Sequence, residues 1–385
     1  MTPFIVPYTS LTNDYIKVIV KKTLILITLF ATSIIATAQD QDQAQSEQAI
    51  IANAANRFLV LSSQNKWLEA KPFVAQAYQL GQTIYAASDP LFGPIAYHFG
   101  AVQVALKEPS ALVPLTQAKD NYEQNLGADS VKLIPVLGNL ASAYILSGNS
   151  DEARESVARA VRLAAREYGD NSTMVADISS RAGREFFAAG DYKSSLPLQD
   201  RAHEIYLGVL GSSSTKTGDE AYHLSESFRL NQNRYGQVTF LKKAISSFNT
   251  PSKAESDFER TVHTKLVEAY HALGKPKRAT KHVLILASSS SFLELLEPSL
   301  LVKANATYKG RGERRKFEGF VSLTFDVDAN GFVKNIKLVD FEGDQKLVKL
   351  AKEALSGYRY VPTLLDGKPI GTNGMETKII FKWAV

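Results

Sequence analysis

The chain has 385 residues, of which 45% are hydrophobic and 22% charged, and carries a formal net charge of +5. That length holds two or three ordinary domains, and the balance is that of a globular protein. Cysteine is absent, which excludes disulfides, thiolate metal sites and a cysteine nucleophile.

The first element is an address. Lys17, Lys21 and Lys22 precede an apolar run from Thr23 to Ala38 that closes on Ala36-Thr37-Ala38, before a polar stretch begins at Gln39. A basic flank, a short apolar core and an A-x-A exit are the parts of a secretory signal peptide over 1–38, cleaved between Ala38 and Gln39. The core is shorter than the roughly 20 apolar residues a spanning helix needs. The stretch before Lys17 is long for a basic flank, which fits a translation start nearer Val20. Beyond the signal, residues 298–385 carry 15 basic and 10 acidic side chains, so the positive excess sits at the C-terminal end. It is too small and dispersed to argue for nucleic acid.

After a polar segment, 39–49, a repeat of 42 residues governs the chain from 50 to 288. Tyr144, Phe186, Phe228 and Tyr270 recur at that step. So do Gly148, Gly190 and Gly274, with Gln232 in the remaining slot, and also Ala118, Ala160, Ala202 and Ala244, and Gly127, Gly169 and Gly211. Within each unit apolar residues follow helical spacing in two runs separated by a Gly- or Asn-containing turn. Small residues at the alanine slots let the paired helices approach closely. The six histidines, His98, His203, His223, His263, His271 and His282, are scattered over these helices. His263 and His271 share one helix, lack a third ligand at usable spacing, and read as repeat packing.

The period breaks over 289–316, a linker that includes the basic run from Arg311 to Lys316. From Phe317 it becomes two: Gly319, Val321, Leu323, Phe325 and Val327 share one face of a strand. Asp326, Asp328, Asn330 and Gly331 imitate the first half of an EF-hand loop. Strand patterns flank them and Lys337 stands where the bidentate Glu belongs, so Asn330-Gly331 is read as a hairpin turn and no metal is expected. A second strand through Ile336 and Leu338 follows. A helix capped by Asp344 presents Leu347, Leu350, Ala351, Ala354 and Leu355 on one face. The segment "YRYVP", a turn at Asp366-Gly367 and a last strand ending "IIFKW" complete a β-β-α-β order.

Two resemblances follow from these residues. "NLASAYILSGNSDEARESVARAV" resembles the tetratricopeptide repeat in its 42-residue variety. "EGFVSLTFDVDANGFVKNIKLVD", "YRYVPTLLDGKP" and "IIFKW" resemble the C-terminal domain of TonB, without the Tyr-Pro pair that usually opens it. The fold expected is an all-α tetratricopeptide-like solenoid followed by a small α+β domain over 317–385. The repeat resemblance implies a groove lined by Tyr97, Asn139, Arg181, His223 and Lys265, suited to an extended peptide. The TonB resemblance implies that the last strand, Thr377, Lys378, Ile379, Ile380, Phe381, Lys382 and Trp383, receives a partner strand, with Tyr358, Arg359, Tyr360 and Pro362 beside it. A fragment over 298–385 is expected to fold alone.

Partners implied are outer-membrane TonB-dependent transporters or other β-edge proteins, and a protein or peptide in the repeat groove, with no cofactor. The apolar N-terminal run has no His, and no proline-rich spacer follows it. The expectation is therefore a periplasmic adaptor. The alternatives are an energy transducer anchored in the inner membrane by an uncleaved N-terminal helix, or a scaffold that binds no transporter. An enzyme is not expected: G-x-S-x-G, Walker and H-E-x-x-H motifs are absent.

Overall fold

The computed structural model describes residues 38–247, 256–289, 297–304 and 318–381. Of the proposed signal peptide over 1–38, residues 1–37 lie outside them, and Ala38 and Gln39, the proposed cleavage pair, open the first helix. The chain divides into two compact units, Met1–Ala202 and His203–Val385.

The N-terminal unit is built from antiparallel helix pairs. α1 (Ala38–Ser63) pairs with α2 (Trp67–Ile84), α3 (Phe92–Ala105) with α4 (Leu112–Leu126), and α5 (Leu133–Leu146) with α6 (Ser150–Tyr168). α7 (Thr173–Ala188) leads into α8 (Tyr192–Leu210), within which the division between the two units falls. α6 shows why the sequence folds this way: Ala153, Val157, Ala160, Val161 and Ala164 are buried at helical spacing, while charged residues fill the opposite face. Ser172 caps α7 by accepting a hydrogen bond from the Val175 amide at 3.4 Å.

In the C-terminal unit the pattern continues with α9 (Thr215–Leu230), α10 (Arg234–Ile245), α11 (Asp257–Ala272) and α12 (Thr280–Ala287). α11 opens with a capping box: Ser256 Oγ accepts from the Glu259 amide at 3.1 Å, and the Glu259 carboxylate accepts from the Ser256 amide at 2.9 Å.

Both glycine series of the 42-residue repeat occupy left-handed backbone. Gly127, Gly169 and Gly211 have φ of 86°, 93° and 78°, and Gly148, Gly190 and Gly274 have 79°, 84° and 67°. The four alanines at the repeat slots are fully buried. Close approach is required at Gly183, where an added Cβ would lie 2.7 Å from Gln199 Cγ and 3.2 Å from the Ser195 carbonyl oxygen.

Gln232 breaks the glycine series yet keeps its geometry, with φ of 58°. A side chain in left-handed backbone costs about 1 kcal/mol that glycine avoids. Gln232→Gly is therefore expected to stabilise the protein by about 0.5–1 kcal/mol in chemical denaturation. An unchanged or lower midpoint contradicts the repeat register assigned to this turn.

The rest of the C-terminal unit is a small α+β domain. β2 (Gly319–Val327) lies between β3 (Val333–Glu342) and β7 (Thr372–Phe381), antiparallel to both. Val321, Leu323, Phe325 and Val327 point to one face, where α13 (Lys346–Ser356) covers them with Leu347, Ala351, Ala354 and Leu355. The N-cap of α13 is Gln345 and not the expected Asp344, which lies one residue earlier and whose carboxylate accepts from the Lys346 amide at 2.8 Å.

Within the stretch read as linker, Ser299–Val302 forms a strand, β1, which pairs antiparallel with β4 (Arg359–Val361). β5 (Leu364–Leu365) and β6 (Lys368–Pro369) make a short hairpin on Asp366-Gly367, with φ of 50° and 74°. The observed order is thus β-β-β-α-β-β-β-β. The added strands are short, and the pairing of β1 joins residues distant in sequence.

The turn between β2 and β3 is a hairpin. The Asp328 carboxylate accepts from the amides of Asn330 and Phe332, each at 2.9 Å, which closes an Asx turn. Gly331, at φ of 82°, packs directly against β4: an added Cβ would lie 1.9 Å from the Tyr360 carbonyl oxygen.

Candidate functional site

Two arrangements stand out among the described residues. One is the outer edge of the three-stranded sheet. β7 pairs with β2 through seven successive positions, Gly319↔Phe381 to Phe325↔Met375, shifts register once before Val327↔Thr372, and is an outer strand of that sheet. Its far side therefore presents backbone donors and acceptors in regular register, the geometry that strand addition requires. Asp326 ties this edge to the sheet. Its carboxylate accepts from the Gly374 amide at 2.9 Å and from Asn335 Nδ2 at 2.6 Å. Those two hydrogen bonds hold its pKa below the usual carboxylate range.

The opposite edge, β3, differs. Its register with β2 shifts twice, Asn335 has φ of 51°, and Lys334 and Lys337 are exposed along it. Bulges and lysines are devices that discourage edge pairing. The two edges are thus unequal, and β7 is the more regular template.

The side chains of β7 alternate. Met375, Thr377, Ile379 and Phe381 are half-buried on the α13 face, whereas Glu376, Lys378 and Ile380 are exposed on the other. Ile380 is 60% exposed. The Lys378 ammonium lies 3.5 Å from the centroid of the Phe320 ring, which holds the stem of the side chain against the sheet.

The second arrangement is a polar ladder across successive repeats of the N-terminal unit. Arg181 Nη2 donates to Asn139 Oδ1 at 2.8 Å and to Ser142 Oγ at 3.0 Å, and Asn139 Nδ2 donates to Tyr97 Oη at 3.3 Å. Glu185 closes the network. It accepts from Arg181 Nε at 3.0 Å and from Ser142 Oγ at 2.6 Å. One side chain from each first helix, α3, α5 and α7, thus contributes at the same repeat position.

Family comparison covers both parts of the chain. Residues 132–208 match the tetratricopeptide repeat model, and residues 304–383 match that of the Gram-negative bacterial TonB protein C-terminal. The chain carries tetratricopeptide repeats followed by a TonB C-terminal domain.

Solved structures similar to this chain include the nearly identical TPR-like repeats named for a kinesin light chain of Podosopora anserina. They share 16% identity over 52% of this chain and 94% of that chain, with a TM-score of 0.43. BtubC (BKLC) from P. vanneervenii shares 16% identity over 64% of this chain and 89% of its own, with a TM-score of 0.38. The apo form of the quorum sensor NprR from B. thuringiensis shares 13% identity over 70% and 85%, with a TM-score of 0.41. No curated protein matches the chain.

The TonB C-terminal domain places the residues expected to bind a partner in two different settings. Thr377, Lys378, Ile379, Ile380 and Phe381 lie on the outer strand, while Lys382 and Trp383 fall outside the described residues. Tyr358, Arg359, Tyr360 and Pro362 depart from expectation: all four are buried, and their side chains offer no surface to a partner. Tyr358 and Tyr360 belong to the core under the sheet. Burial pushes the Tyr360 hydroxyl up to about 12, and the Tyr358 hydroxyl is raised for the same reason.

Of the groove residues, Tyr97, Asn139 and Arg181 are joined in the ladder. His223 and Lys265 sit at the matching positions of α9 and α11 in the C-terminal unit. There His223 faces Asp219 at 3.8 Å and Lys265 pairs with Glu268 at 2.9 Å, each within its own helix. Ser142 and Glu185 escaped sequence reading, although each stands one helical turn from a groove position.

The histidines pair differently from their spacing on one helix. His263 Nδ1 lies 2.9 Å from His282 Nδ1 on α12, both rings being buried. Burial lowers each to about 4, with nearby Lys281 acting in the same direction, so both are neutral near pH 7. One ring then donates to the other, which is a packing contact between paired helices.

Proposed function

We propose that this protein is an adaptor of the Gram-negative cell envelope that captures an extended partner segment on the outer edge of β7 and docks a second protein through its repeats. The observation that carries this reading is the inequality of the two sheet edges. β7 keeps seven successive pairs with β2 and shifts register once, beyond Phe325, whereas β3 shifts twice within its length. In strand addition the backbone ladder supplies affinity. Side chains alternating along the edge supply selectivity, here the apolar Ile379 and Phe381 face against the Glu376 and Lys378 face.

The family match favours TonB-dependent outer-membrane transporters as the source of that segment, and the periplasm as the place of encounter. No helix among the described residues is long and apolar enough to cross a membrane. The role of the repeats rests on the Tyr97–Asn139–Arg181 ladder, whose mutual hydrogen bonds hold polar side chains at one position of successive first helices. Catalysis is no part of this reading.

Fluorescence anisotropy of a labelled N-terminal plug segment from such a transporter, titrated with the full chain, tests the proposal. Saturable binding is expected, competed by the unlabelled segment but not by its scrambled version. It should survive Arg181→Ala, since the ladder serves the other partner. Absence of binding, or equal competition by the scrambled segment, overturns it.

A further inference from the structure

Arg359 is the centre of the aromatic segment in the TonB C-terminal domain, yet it is fully buried and its hydrogen bonds leave that domain. Nη1 donates to the Pro276 carbonyl at 3.2 Å and Nη2 to Thr280 Oγ1 at 2.9 Å. Pro276–Ala279 is a single 3-10 turn that leads into α12, of which Thr280 is the first residue. The Phe332 ring covers the guanidinium, with Cζ 3.5 Å from the ring centroid.

A cation gains nothing electrostatically at the start of a helix, where the macrodipole is positive. Burying one is costly unless its donors are satisfied, and here Nε is buried with no hydrogen-bond partner. What this arrangement supplies is direction, because a planar fork fixes both the distance and the orientation of what it grips.

Apolar packing runs alongside the fork. Val361 of β4 packs with Leu286 and Ala287 of α12, and Leu301 and Leu364 close around them. Leu301 and Val302 of β1 also join the core formed by α9 to α12. Strand β4 is stitched to the β2–β3 turn by the Tyr360 amide, which donates to the Gly331 carbonyl at 2.9 Å. A continuous path therefore runs from the sheet through β4 to the last helix pair.

We propose that Arg359 is a latch that fixes the TonB C-terminal domain on the final helix pair, so that the β7 edge is held in one orientation relative to α11 and α12. The domain is then no separate module on a tether, as a fragment folding alone would require. A partner strand gripped at β7 is connected through β4 and the latch to the repeats. The latch itself does not depend on what binds β7.

Hydrogen exchange on the full chain tests this with two variants. Arg359→Met keeps much of the buried volume without the fork, and Thr280→Val removes one acceptor from the helical side without touching the domain. Both are expected to speed exchange in β1 and β4 by about ten-fold, the scale of one charge-assisted hydrogen bond, while β2, β7 and α13 stay nearly unchanged. If Arg359→Met fails to fold, Thr280→Val alone decides. Unchanged exchange in β1 and β4, or an equal rise throughout the sheet, overturns the latch.

Discussion

Gly331→Ala destabilises the C-terminal unit by about 3 kcal/mol or more in chemical denaturation. Two costs combine. The backbone at φ of 82° is left-handed, which an alanine adopts only with strain. The added Cβ would also fall 1.9 Å from the Tyr360 carbonyl oxygen, a main-chain atom that cannot rotate away. The turn must then lift from β4 or β4 must shift, and either movement weakens the bond from the Tyr360 amide to Gly331. A variant as stable as the parent contradicts the packing of the hairpin turn against β4. The same geometry explains why the EF-hand-like spacing of Asp326, Asp328 and Asn330 serves a turn: Asp328 is occupied by backbone amides and Asp326 by Gly374 and Asn335.

Phe186→Ala costs about 3–5 kcal/mol, the usual range for emptying a buried aromatic site. Phe186 is wholly buried in α7, at the repeat slot shared with Tyr144, Phe228 and Tyr270. Repeat arrays are stabilised mainly between neighbours, so the loss should be local. Hydrogen exchange is expected to rise in α5 to α8 and to remain unchanged in the β2–β7 sheet. A uniform rise across both units contradicts the assignment of Phe186 to a repeat core.

Local patterns carried much of the fold in the sequence. A 42-residue step repeated in four independent series can only come from a repeated helix pair, and the left-handed glycines show what that step preserves. Alternation in "VSLTFDV" and the Asn330-Gly331 and Asp366-Gly367 turns were legible because short-range sterics determine them. What escaped reading is non-local. β1 spans only Ser299–Val302 and is stabilised by pairing with a segment far along the chain. In "YRYVP" a period of two shows that the tyrosines share a face and Arg359 points the other way. It cannot show that the last helix pair covers that other face. The His263–His282 contact was hidden likewise, because it joins two helices across a turn while the spacing drew attention to His271.

For the site, the outer position of β7 followed from the family resemblance, and its contrast with β3 required the strand register. Bulges leave little trace in sequence, since a positive φ at Asn335 and two shifted pairs read as ordinary strand residues.

The most direct measurement is amide hydrogen exchange along both sheet edges of the full chain, with and without a transporter plug segment at saturating concentration. Slower exchange is expected over Thr372–Phe381, while Val333–Glu342 keeps its rates, because only a strand laid on β7 covers those outward amides. Unchanged exchange along β7, or protection appearing along β3 instead, would contradict strand capture at this edge.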